Sequence, residues 1–188
     1  MSFEMVNAIA SAGTFIVIAA SAIAALIQLR HMRGSNQIIA LDEFRETMES
    51  GEIGDAQRFV SFELPERLRD PEERVKITAL PFSQEYAKIG IVANLFECMG
   101  EFVKLGIVDP AIACDLWGGV VVRNWEALAP LVAYMRHALA TPGLWENFEY
   151  LAVLSKRYGD AHPNGTYPPS QPRMPVDRSL LDAMSDKA

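Results

Sequence analysis

AIASAGTFIVIAASAIAALIQL, residues 8–29, is a run of 22 residues without a single charge. As a helix it rises about 1.5 Å per residue and reaches about 33 Å, enough to cross a hydrocarbon core of ~30 Å. Its apolar weight comes from Ile9, Phe15, Ile16, Val17, Ile18, Ile23, Leu26, Ile27 and Leu29; Ala, Ser and Gly make up most of the remainder. Two other readings compete, a cleaved signal peptide with Ala20-Ser21-Ala22 as its site and the buried helix of a soluble bundle. The first seven residues hold Glu4 and no Lys or Arg, whereas a signal peptide opens on a basic segment. The run is therefore read as a single membrane span.

The flanks set its direction. One acidic residue precedes the run, and Arg30, His31 and Arg33 follow it within four positions. Basic residues stay on the cytoplasmic side, so residues 1–7 are expected outside and residue 30 onward in the cytoplasm. Arg30, His31 and Arg33 form the candidate membrane interface, where the long side chains can also snorkel to headgroups. Small residues recur at four-residue spacing in Ala8 and Ala12, Ala20 and Ala24, and Ser21 and Ala25. That spacing lets a second helix approach closely and marks a candidate packing face for a membrane-protein partner.

The rest of the 188 residues divides into a domain over 34–160 and a tail over 161–188. Residues 1–34 carry a net +1, residues 35–160 a net −8, and the tail balances. An acidic domain is repelled by phosphates and gains nothing from counterion release, which speaks against nucleic acid as a partner. Cys98 and Cys114 are expected to be free thiols packed as small core residues.

Apolar spacing and punctuation predict helices throughout. Gly34–Gln37 is a hinge or a continuation of the membrane helix; Ile38, Leu41, Phe44 and Met48 follow at helical spacing, with Gly51 as a stop. A second helix is expected over 53–63, ended or bent by Pro65. Asp70-Pro71, with Glu73 three residues on, has the form of a capping box. Asp109-Pro110 and Thr141-Pro142 repeat the cap-then-proline device. Ser83 is expected to cap a helix over 84–105 closed by Gly106, with Ile89, Val92, Phe96, Met99 and Val103 as its stripe. The next helix, 110–137, offers Ile112, Leu116 and Val120 on one line and Trp117, Val121, Asn124 and Leu128 on another. Gly118-Gly119 is expected at a close helix contact, and Pro130 is expected to kink or divide the helix. A last helix over 143–158 leads to a tail with five prolines and a short helical possibility at 178–184. The expected class is all-α: one membrane helix, a cytoplasmic bundle of five or six helices, and an extended Pro-rich C-terminal tail.

Several stretches carry a resemblance: Gln28–Gln37 (QLRHMRGSNQ), Ala93-Asn94-Leu95-Phe96-Glu97, Leu116-Trp117-Gly118-Gly119, Arg123-Asn124-Trp125-Glu126 and Trp145–Leu151 (WENFEYL). Together they resemble the DUF4760 family of bacterial membrane-anchored proteins over about residues 8–155. The resemblance implies a bacterial inner-membrane location and a helical cytoplasmic domain, and it implies no chemistry.

Catalytic signals are sparse. His31, His137 and His162 are scattered, and no H-E-x-x-H, E-x-x-H, P-loop, G-x-G-x-x-G or G-x-S-x-G occurs. Glu97 and Glu101 share a helix face without a histidine. No cofactor and no catalytic set is expected. The main polar grouping is Asn94, Glu97, Arg123, Asn124 and Glu126, read as an interhelix network in which Glu97 pairs with Arg123. Trp117, Trp125 and Trp145, with Phe148 and Tyr150, are expected in the core rather than on a binding surface. The expected function is a membrane-anchored interaction or assembly protein, for example an accessory subunit of an inner-membrane complex. Its partners would be the bilayer and a membrane protein met through the span or the tail. The alternative is a membrane-tethered sensor or regulator that binds a small ligand.

Overall fold

The computed structural model describes residues 2–79 and 84–177, of which 8–10, 33 and 84 by backbone alone. Ser83 and the segment 178–184 lie outside the described residues. The class is all-α, with no strand among the described residues.

Helix α1, Phe3–Glu49, is a single element of 47 residues, about 70 Å long at ~1.5 Å per residue. Gly34 neither breaks nor hinges it: with no proline before Pro65, nothing in the chain removes a backbone donor there. The helix ends at Ser50, whose extended backbone turns the chain and whose hydroxyl accepts from the Ile53 amide at 3.4 Å. Gly51 therefore opens α2, Gly51–Arg58, instead of stopping α1.

Helix α2 passes through a π-helical turn, Phe59–Glu63, directly into α3, Leu64–Arg69. Pro65 explains the wide turn. It has no N–H for the Ser61 carbonyl, and in a regular helix its ring would crowd that group. Letting the Leu64 amide reach back five residues to the Phe59 carbonyl keeps the chain helical past the proline. Phe59, Val60 and Leu64 are fully buried along this stretch. Arg67 then stands 3.5 Å from Glu85, 3.8 Å from Glu73 and 5.4 Å from the Phe59 ring, tying α3 to its neighbours.

Helix α4, Pro71–Thr78, starts as its sequence predicts, with Asp70 accepting from the Glu72 amide at 2.8 Å. The reciprocal half of the capping box is not made, because Glu73 turns its carboxylate to Lys76 at 2.6 Å.

Three long helices form the core: α5, Gln84–Lys104; α6, Pro110–Ala138; and α7, Glu146–Ala161. The expected α5 stripe is buried throughout. At its end Gly106, with φ +69°, lets the Ile107 amide reach the Phe102 carbonyl at 2.9 Å and its own amide reach Val103 at 3.1 Å. That pair of bonds satisfies the last carbonyls of the helix. Asp109 caps α6 through the Ala111 amide at 2.8 Å.

On α6 the line through Cys114, Val121, Asn124 and Leu128 is buried, while Ile112 and Leu116 stay 39% and 57% exposed. Pro130 lies inside α6 without dividing it. Helices α6 and α7 run antiparallel, as the pairs Gly118–Ser155, Trp125–Phe148 and Arg136–Glu149 show. Gly118 is the close contact; Gly119 faces open space. Cys98 is exposed and only Cys114 is buried.

Phe44 joins the inner half of α1 to this core. Its ring lies 4.7 Å from Trp117 and 6.3 Å from Phe96, which stacks on Phe148 at 5.0 Å, which meets Trp125 at 5.1 Å. The aromatic residues thus build the interior, with Tyr150 alone of the expected five 40% exposed. The outer half of α1 is different: none of its most apolar 18-residue stretch is buried. It is long and apolar enough to cross a membrane, and it is not a buried helix of the bundle.

Candidate functional site

The polar residues singled out in the sequence separate into two places. Asn94 and Glu97 face the start of α7. That helix begins later than Thr141-Pro142 suggests, because the Thr141 hydroxyl bonds the Leu139 carbonyl and caps nothing. The residue before α7 is Trp145, held in the left-handed region at φ 54° with no side-chain cap of its own. Such a backbone costs a non-glycine residue about 1 kcal/mol or more, so other contacts must hold it.

Asn94 accepts from the Trp145 indole N–H at 2.9 Å. Glu97 accepts from the Phe148 amide at 2.8 Å and from the Asn147 side-chain amide at 2.9 Å. A carboxylate on α5 thereby performs the capping that α7 lacks locally, at the end where the helix dipole favours negative charge. Gly100, one turn on, lets the α7 entrance come this close; a Cβ there would run into the Asn147 carbonyl. Lys104 adds a bond to the Asn147 side chain at 3.1 Å.

Arg136 completes the junction from α6. It donates to the Leu144 carbonyl at 2.9 Å and to Glu149 at 2.7 Å, with its guanidinium 6.0 Å from the Trp125 ring. Its remaining nitrogen, Nη2, is buried without a partner among the described residues. Sequence reasoning passed over Arg136 and Gly100. The signal for Gly100 was available: a residue without a side chain between Phe96 and Val103 on a buried face.

Arg123 and Glu126 lie elsewhere, exposed on α6, and no Glu97–Arg123 ion pair forms. Asn124, 1% exposed, spends its amide on the Val120 carbonyl at 2.9 Å and accepts from the Ser61 hydroxyl at 3.3 Å. It anchors α6 to the π-helical turn. Arg123 has no carboxylate partner among the described residues and lines two adjoining cavities. One, of about 260 Å³, reaches Arg58 and Phe62; the other, of about 540 Å³, reaches Pro65, Arg69 and Glu126. A third, of about 500 Å³, continues past Pro130 to Arg74, Val75 and Tyr134. The result is an open groove along α6 in which Arg58 and Arg69 are paired with Asp55 and Glu66, each at 2.6 Å, and Arg123 is left for an outside partner.

No group of three or more His, Cys, Asp or Glu side chains that could hold a metal is found among the described residues. On α1, Arg30 and His31 are exposed, as are Ala12, Ala20, Ser21, Ala24 and Ala25; Ala8 and Arg33 belong to the helix and their side chains lie outside the described residues. Asp115 of α6 accepts from Tyr158 of α7 at 3.5 Å and, beyond that helix, from Thr166 at 2.8 Å, which pins the first part of the tail to α6.

These features define a class: a packed helical domain carried on one exposed apolar helix of membrane-spanning length. The chain belongs to the family described as Domain of unknown function (DUF4760), whose model matches residues 15–155. The match begins inside the apolar run of α1, ends within α7 and leaves the tail out. No match is found among curated proteins or among solved structures.

Proposed function

We propose that this chain is a membrane-anchored interaction or assembly protein, such as an accessory subunit of a complex in a bacterial inner membrane. In this reading residues 8–33 span and flank the bilayer, the N-terminus is outside, and residues 34–160 work in the cytoplasm. The observation that carries it is the outer half of α1, apolar along its length and unburied by its own chain. A surface of that kind is stable in lipid and a liability in water. The basic residues after it support the direction.

The domain supports an interaction role in a second way. Asn94 and Glu97 are taken up in holding the start of α7. The open groove around Arg123 is a polar surface suited to a segment of another protein with acidic side chains. The exposed small residues Ala12, Ala20 and Ala24 offer a further contact inside the bilayer. A ligand-sensing role is the second reading; the 540 Å³ volume beside Arg123 has the size of a small-molecule site.

The test is gentle detergent solubilisation of the tagged full-length chain from native membranes, followed by sizing and mass spectrometry. Recovery of a stoichiometric membrane partner that is lost from Arg123→Glu is the expected result. A lone monomer or homo-oligomer would sink the assembly reading and leave ligand sensing in its place.

A further inference from the structure

The α5–α6 loop sits beside α1 about two turns past the end of the apolar run. Asn36 of α1 shares a cavity of about 410 Å³ with Leu105, Gly106 and Ile107. Asn36 is seven residues beyond Leu29, about 10 Å along a helix at ~1.5 Å per residue. The headgroup layer extends roughly 5–7 Å beyond the hydrocarbon on each side, and tilt of the helix lowers Asn36 toward it. Asn36 thus stands a few Å above that layer in an upright span, and a tilt of ~20–40° toward the loop's side brings the loop, offset from the helix axis, down to it if the outer half of α1 spans.

Its side chains suit that position. Val103 and Val108 are buried, 3% and 0% exposed, and they clamp the loop to the core from both ends. Leu105 and Ile107 are held outward between them, 65% and 39% exposed, by the hydrogen-bonded turn at Gly106. Between Gly34 and Leu41 the helix beside this loop carries no charge. Polar backbone with outward apolar side chains next to a membrane exit is the pattern of a segment resting in the lipid interface.

We infer that the Leu105-Gly106-Ile107 loop dips into the headgroup layer of the membrane as a second, peripheral contact that fixes how the domain stands on its anchor. This rests on the membrane-anchor reading given above. The bilayer is favoured over a protein partner because the loop meets α1 at Asn36, nearer the apolar run than Ala40, Leu41, Phe44 and Met48, which pack on the core.

The test uses the full chain in vesicles of phosphatidylethanolamine and phosphatidylglycerol, with Cys98→Ser and Cys114→Ala to leave no native thiol. A nitroxide is attached in turn at Leu105→Cys, Ile107→Cys, Ile27→Cys and Val75→Cys. Each label's collisions with lipid-soluble oxygen and with a water-soluble nickel chelate are compared by electron spin resonance, on samples whose helix content matches the unlabelled chain. The expected result is a severalfold higher oxygen-to-nickel ratio at 105 and 107 than at 75, approaching that at 27. A lipid-like ratio at 27 with a water-like ratio at both loop positions would overturn the loop contact and leave the anchor standing. Loop labels shielded from both reagents would overturn it in favour of a protein contact. A water-like ratio at 27 would remove the anchor reading and this inference together.

Discussion

The two halves of α1 share one helix and obey different rules. From Phe3 to Asn36 nearly every described side chain is exposed, Phe15, Ile16 and Ile18 among them. From Gln37 to Glu49 the pattern returns to helical period: Ala40, Leu41, Phe44 and Met48 pack on the core, and Asp42, Arg45 and Glu49 pair in water. The inner half is amphipathic and packs one face on α2, α5 and α6. The outer half is apolar all round because, in the proposed reading, its solvent is lipid.

Charging the outer half should have the largest effect. Lys at mid-span costs about 3 kcal/mol of insertion per residue, so Ile16→Lys with Ile23→Lys should move most of the chain out of washed membranes in a fractionation assay. An equal fraction retained in the pellet would break the contrast between the halves. On the inner half, Phe44→Ala removes the ring between Trp117 and Phe96 and should cost about 3–5 kcal/mol in denaturant unfolding of the detergent-solubilised chain. Phe15→Ala, 74% exposed in the outer half, should leave that unfolding midpoint unchanged.

A smaller effect sharpens the same distinction within the domain. Glu97→Ala orphans the Phe148 amide and the Asn147 side chain and should cost about 1.5–3 kcal/mol, with Glu97→Gln recovering part of it. Arg123→Ala, on the open groove, should change stability by less than about 0.5 kcal/mol in the same assay.

The smallest effect concerns pH. Burial pushes the Cys114 thiol above its ordinary value; the Ser155 hydroxyl bond opposes this, and Asp109 adds to it. The folded chain thus keeps that proton to higher pH than the unfolded chain does. The associated stabilisation is complete below the ordinary thiol range and is lost as pH rises through the folded value. Unfolding midpoints of the intact chain should fall more between neutral and alkaline pH than those of Cys114→Ala.

What the sequence made legible was local. The caps at Asp70 and Asp109, the glycine stop at Gly106 and the α5 stripe depend on neighbours a few residues away, and each stands where its chemistry puts it. What it hid was decided across the fold. Both lines of α6 are largely apolar, and the packing of its neighbours across the fold decides that the one through Val121 and Leu128 is buried. The start of α7 shifted to Glu146 because Glu97, about 50 residues away, caps it from another helix while Asn94 holds the Trp145 indole. The polar set was recognised as a group, yet its members serve two places, since which face of a helix a residue occupies does not reveal which helix will cover it. The Gly51 stop failed for a simpler reason: Ser50 both ends α1 and caps α2, leaving glycine to open the second helix.

The decisive measurement is alkaline carbonate extraction of bacterial membranes carrying the full-length chain, combined with protease treatment of intact spheroplasts bearing tags at either end. Anchoring by the outer half of α1 requires that the chain stay in the carbonate-washed pellet, with the N-terminal tag cleaved from outside and the C-terminal tag protected. Release of the chain into the carbonate supernatant would contradict a membrane-spanning α1 and leave its exposed apolar surface to a protein partner instead.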